Sequence, residues 1–111
     1  MNLSAGDVVL VDVIFTDQTG SKVRPVLALS SPDAAGDFVA AMITSRGGLS
    51  NSVALDQSQM ASGVLAAASW VRCDRPLTLN KSVVVRPFGS AKPSIITAVL
   101  KILCPHIGCK R

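Results

Sequence analysis

The chain has 111 residues, enough for one hydrophobic core and too few for two. Hydrophobic residues make up 49% and aromatics only 4%, so the core falls to Val, Leu, Ile and Ala; Asp, Lys or Arg interrupts every apolar run well short of the roughly 20 residues of a membrane span. The net charge of +4, from 11 Lys and Arg against 7 acids that are all Asp, permits a nucleic-acid partner without establishing one.

The N-terminus has no basic segment followed by an apolar stretch and a cleavage site, so secretion is not expected. Cys73, Cys104 and Cys109 are odd in number and lack framework spacing, which fits reduced thiols in a cytoplasmic protein.

Residues 1–5 are a short lead-in, and Gly6-Asp7 turns into a first strand at 8–14. A polar connector, 16–23, leads through Arg24-Pro25 into a second strand at 26–29, so the pair reads as a long hairpin. Lys22 and Arg24 stand where the loop re-enters an apolar strand, and two cations beside a hydrophobic wall suggest an anion site on a rigid sheet. Residues 38–45 are almost continuously apolar up to Thr44, as for a strand covered on both faces.

Residues 46–52 are rich in Gly and Ser, 53–56 allow a short strand, and 57–63 read as a connector. Residues 66–73 read as a strand with Trp70 as its largest contributor of buried area. Residues 76–79 allow a short strand or an extended turn, and 83–85 a further short strand. Ser90 can cap a helix at about 91–103, with Pro93 in its first turn and Ile96, Val99, Leu100 and Leu103 as one stripe. Pro105 stops it and 104–111 form a frayed tail, in which Cys104, His106 and Cys109 lack the paired spacing of a metal site. Short strands at this spacing and one late helix predict a single, mainly β domain over 1–111 built on a small antiparallel sheet.

Four blocks in order, Gly6-Asp7-Val8-Val9-Leu10-Val11-Asp12, Gly20-Ser21-Lys22-Val23-Arg24-Pro25-Val26-Leu27, Ile43-Thr44-Ser45-Arg46 and Trp70-Val71-Arg72-Cys73-Asp74-Arg75-Pro76, resemble the PemK/MazF family of toxins. The resemblance covers nearly the whole chain. It implies an SH3-like antiparallel barrel with a C-terminal α-helix, and a homodimer whose RNA groove spans the subunit interface. It further implies a type II toxin that cuts single-stranded RNA without metal or cofactor, and a cognate antitoxin whose disordered segment blocks the groove. A short acidic antitoxin suits a basic groove.

RNA needs no metal for cleavage if its own 2′-hydroxyl attacks the adjacent phosphate. The protein must then take up a proton, neutralise the charge of the phosphorane and protonate the leaving 5′-oxygen. The resemblance assigns catalytic roles to Arg24, Thr44, Arg72 and Asp74. Arg24 offers a planar fork to phosphate oxygens, and Pro25 fixes where it points. Thr44 and Ser45 are hydroxyl donors at a strand end. Arg72 and Asp74, one residue apart, share a strand face while Cys73 points to the other; by themselves they are equally an ion pair. A carboxylate of ordinary pKa, about 3.9, is a weak base and a guanidinium, which stays charged, a poor acid, so the expected rate is modest.

Lys22, Ser45, Arg46 and Phe15 are expected to contact RNA, with Arg46 on the backbone phosphate; among the few aromatics, Phe15 and Phe88 are the expected base-stacking residues, ahead of Phe38 and Trp70. The His that some PemK-like members carry in the first hairpin loop has no counterpart in 15–23, where Lys22, Thr16, Asp17 or Gln18 must substitute. Two rivals remain: a CcdB-like gyrase poison, disfavoured because the C-terminal region has no Trp, and an inactive relative that only binds RNA or a partner.

Overall fold

Val8 and Val9 are neighbours in sequence, both buried, and they face opposite sides of the sheet, so the one core expected from chain length is divided by the sheet into two clusters. This alternation organises the computed structural model, which describes residues 3–13, 22–45, 47, 50–65 and 67–108, with the backbone alone at Val13 and Lys22. Among the described residues the chain forms β1 (Asp7–Val13), β2 (Lys22–Ala28), β3 (Asp37–Thr44), β4 (Ser52–Leu55), β5 (Met60–Gly63), β6 (Ser69–Arg72), β7 (Leu77–Asn80), β8 (Val84–Ala91) and the helix α1 (Pro93–Ile107). The strands form one antiparallel sheet in the order β4-β6-β3-β2-β1-β8-β5, with β7 also pairing β3. It is a curled half-barrel with one C-terminal helix, as expected.

Period-2 side-chain alternation sends Val8, Leu27, Ala41 and Ile43 to one core, joined there by Leu55, Val71, Cys73 and the helix residues Ile95 and Val99. Val9, Val11, Val26, Ala28, Phe38 and Ala40 form the second core on the opposite face. Strands buried on both sides have no reason to alternate polar and apolar residues, which is why β1, β2 and β3 read as continuous hydrophobic runs. The helix buries Ile95, Val99 and Leu103, one residue round from the expected stripe. No helix among the described residues is long and apolar enough to cross a membrane.

Several expected boundaries differ. Residues 57–63, expected as a connector, form a 3₁₀ turn, Gln57–Gln59, and then β5. The turn is closed by a capping box: Asp56 accepts from the Ser58 N–H, and the Gln59 side chain accepts from the Asp56 N–H. β8 runs well beyond 83–85, through Pro87 and Gly89, because it pairs β1 on one side and β5 on the other. Its pairing with β1 contains two register shifts, and bulges of this kind accommodate a proline that cannot donate to the ladder.

β6 is shorter than expected, and Trp70 is half-buried outside both cores. Ser90 is a strand residue with its hydroxyl 2.9 Å from that of Ser62, so it caps nothing. The helix starts instead behind Lys92, whose side chain makes no capping bond, with Pro93 in the first turn. Nor does Pro105 end it, for α1 continues to Ile107 and closes at left-handed Gly108, whose N–H donates to the Cys104 carbonyl. A proline removes one i→i−4 bond, and here the loss falls in an exposed last turn, where water can satisfy the freed carbonyl.

Candidate active site

The register of β2 on β3 pairs Val26 with Met42, Leu27 with Ala41 and Ala28 with Ala40. Arg24 of β2 and Thr44 of β3 both lie just beyond the last paired residues of this ladder. On its other side Arg24 faces Val11 of β1, and on the far edge of β3 Thr44 faces Trp70 of β6. Thr44 and Trp70 are therefore a cross-strand pair, and by alternation Arg24 projects from the same face of the sheet as they do. In the next row Arg72 of β6 lies opposite Ser52 of β4 and diagonal to Thr44.

Arg24, Thr44 and Ser45 also border a cleft of about 340 Å³. Leu10, Pro25, Ile43 and Phe88 supply most of its apolar lining, and Leu65, Ala67 and Ser69 add a wall from the chain between β5 and β6. That wall is held from behind by Gln57: its amide Nε2 donates to the Gly63 carbonyl at 3.0 Å, and its Oε1 accepts from the Leu65 N–H at 2.8 Å. Arg24, Thr44 and Ser45 thus border an apolar recess of the size of a small-ligand site; by alternation the recess lies on the face of Val8 and Ile43, while Arg24 and Thr44 project from the face of Val11 and Val26.

Arg72 and Asp74 do not line the cleft. They form an ion pair of their own, Nη2 to Oδ1 at 3.5 Å, with side chains 28% and 23% exposed. The contact is long and single rather than a two-pronged fork, and among the described residues Arg72 Nε is buried without a hydrogen-bond partner. A buried donor left unsatisfied costs roughly 1–3 kcal/mol. Cys73 between them turns the other way, into the core, as the alternation predicts. Burial, and secondarily the Asp74 charge, push its thiol up to about 11, so it stays protonated near neutral pH and is no nucleophile.

Of the residues expected at the site, the fold brings Arg24, Thr44 and Ser45 together and sets Arg72 with Asp74 one row away. Lys22 opens β2 opposite Val13, and its side chain lies outside the described residues, as do Phe15 and Arg46. Phe88 reaches the cleft, Phe38 is buried in the second core, and Gly47 lies against the Trp70 ring, where a Cβ would come within 3.0 Å of it. Leu65, Ala67, Ser69 and the Gln57 clasp carry no sequence signal that reasoning on motifs finds, since they meet Arg24 only through the sheet order.

Among solved structures, MazE-MazF (Form-II) from Deinococcus radiodurans superposes with a TM-score of 0.79 at 22% identity, covering 99% of each chain. An endoribonuclease in complex with its cognate antitoxin from a Mycobacterial species gives 0.74 at 20% identity, covering 98% of each chain. The toxin MazF-mt6 of Mycobacterium tuberculosis gives 0.71 at 22% identity, covering 95% of this chain and 99% of its own. At these identities the likeness shows the fold. No curated protein matches the chain. The sequence itself matches a family over residues 4–107, nearly its full length, and on that match the chain belongs to the PemK-like, MazF-like toxins of type II toxin–antitoxin systems.

Proposed function

We propose that this protein is a sequence-specific, metal-independent endoribonuclease that cleaves single-stranded RNA and, by cutting messages in the cytoplasm, inhibits translation and growth. The observation that supports the reading is that Arg24 and Thr44 border one cleft. A phosphate seated there receives the guanidinium fork of Arg24 and the hydroxyl of Thr44. Both strengthen as the 2′-oxygen bonds to phosphorus and charge accumulates on the non-bridging oxygens.

Asp74 takes the 2′-hydroxyl proton. The bond to the 5′-oxygen then breaks, and that oxygen leaves with a proton delivered through Arg72 or water. The products are a 2′,3′-cyclic phosphate and a 5′-hydroxyl. The RNA supplies its own nucleophile and the arginines supply the positive charge, so no step calls for a metal ion. The catalytic groups in this account are Arg24, Thr44, Arg72 and Asp74, with Lys22, Ser45, Arg46 and Phe15 as RNA contacts.

Two partners complete the reading. A second copy of the chain extends the groove across a homodimer interface, and a cognate antitoxin covers that groove with an acidic segment; the antitoxin complexes among the structural neighbours support this part. The test is incubation of the purified protein with a long single-stranded RNA in EDTA, followed by mapping of cut positions and end chemistry. Discrete cuts with 5′-hydroxyl ends are expected. Strong inhibition by EDTA would overturn the metal-free mechanism, and a folded protein that leaves RNA intact would overturn the nuclease.

A further inference from the structure

The cleft beside Arg24 is lined on one side by Phe88, and the way that ring arrives is informative. β8 pairs Gly89 with Val8 and Pro87 with Val9, so Phe88 is the extra residue of a β-bulge. Bulges re-aim a side chain, and they cluster next to active sites. Here the bulge leaves Phe88 half-buried, packed on the core at its base and lining the cleft. The backbone next to it is pinned by two glycines: a Cβ at Gly63, which has φ +87, would lie 2.5 Å from the Phe88 carbonyl oxygen, and one at Gly89 would lie 2.4 Å from that of Ser62. This close crossing of β5 and β8 brings the Leu65–Ser69 wall up to Phe88.

Resting on the nuclease reading above, we infer that the cleft is the base-selecting subsite: one unpaired nucleobase next to the scissile phosphate enters it and stacks on Phe88, against Pro25 and Leu65. Its volume of about 340 Å³ is near the lower end of ligand sites, roughly 300–1,000 Å³, and holds one base rather than a stack. Arg24 borders the cleft, so a base inside lies beside the residue that takes its phosphate in the reading above. Ser69, on the wall, donates its hydroxyl proton to the Ala67 carbonyl at 3.0 Å and so meets the base edge as an acceptor. An acceptor there selects a base with an amino or imino N–H. Phe88 and Ser69 are thus specificity-determining residues, and Gln57 is the positioning residue that holds the wall.

The experiment crosses the ring against the base. Short RNAs containing the mapped cut site are made with an abasic ribose on either side of the scissile phosphate. They are cleaved by the wild type, Phe88→Leu, which keeps the apolar packing, and Phe88→Trp, which keeps the stacking face. Base–aromatic stacking predicts that Phe88→Leu and one of the two abasic RNAs each lower kcat/KM roughly 5- to 100-fold. Combining them should give no further loss, while Phe88→Trp stays near wild type on intact RNA. Losses that multiply would overturn the assignment. So would a Phe88→Leu that cleaves normally but loses self-association or antitoxin binding, which would give the cleft to a protein partner. Wild-type cleavage with an uncoupled Phe88 removes this subsite alone, whereas failure of the folded wild type to cut any RNA removes it together with the nuclease.

Discussion

The two arginines on this sheet face sit in different surroundings. Arg24 borders an apolar cleft, whereas Arg72 is paired with Asp74 outside it and, among the described residues, its Nε is buried without a partner. A cation at a recess suits a task of charge stabilisation. A cation tied to a carboxylate suits orientation and proton handling, because the carboxylate is the only member of the pair able to take up a proton at neutral pH. The same residue type therefore serves two purposes according to what the register places next to it.

Substitutions can break or sharpen that contrast. Arg24→Ala should lower kcat by roughly 10³-fold while leaving the unfolding temperature unchanged, since it removes the fork aimed at developing charge; a loss confined to KM would demote Arg24 to a binding contact. Asp74→Asn should lower kcat about 10²-fold with RNA affinity preserved. If affinity alone falls, Asp74 is a counter-ion to Arg72 and the base lies elsewhere. Thr44→Val, which keeps the β-branched shape and deletes the hydroxyl, is expected to cost about tenfold in kcat, the worth of one hydrogen bond of about 1.4 kcal/mol; cleavage at wild-type rate would leave Thr44 as strand packing.

The smallest effect is on stability and comes from Cys73 between the two members of the pair. Its thiol is pushed from about 9.0 up to about 11 in the folded chain, so as pH rises the unfolded chain loses this proton first. The contribution is complete below about pH 9 and fades as pH climbs to 11, by on the order of 2 kcal/mol. Denaturant titrations across that range should show a steeper alkaline decline for the wild type than for Cys73→Ala. Parallel declines would show that the thiol stays uncoupled from folding.

What the sequence made legible follows from burial. β1, β2 and β3 are covered on both faces, and unbroken runs such as Val8-Val9-Leu10-Val11 announce them; the helical period likewise announced α1 and its buried Val99 and Leu103, but pointed to Ile96 where Ile95 is buried. β8 was largely hidden because Arg86, Pro87, Phe88 and Gly89 mix charge, ring and breaker residues, and its strand character comes from two partners rather than from propensity. At the site, Arg24 and Thr44 were nameable from their blocks, but that they border one cleft depends on a strand order no local pattern encodes. Phe88 was a candidate on composition alone, while the bulge that aims it, the Gln57 clasp and the separation of the Arg72–Asp74 pair from the cleft all depend on contacts distant in sequence.

β1, near the start of the chain, is hydrogen-bonded to β8, near its end. On a ribosome adding roughly 5–20 residues per second, β1 emerges long before the strand that must lie beside it, and its exposed edge waits unpaired. Hairpin β1–β2 and its extension by β3 need only local closure, whereas the cleft needs Phe88 and waits for β8. Topologies dominated by such distant pairings also fold slowly, in milliseconds to seconds. The central strands can thus pair well before the cleft they border exists.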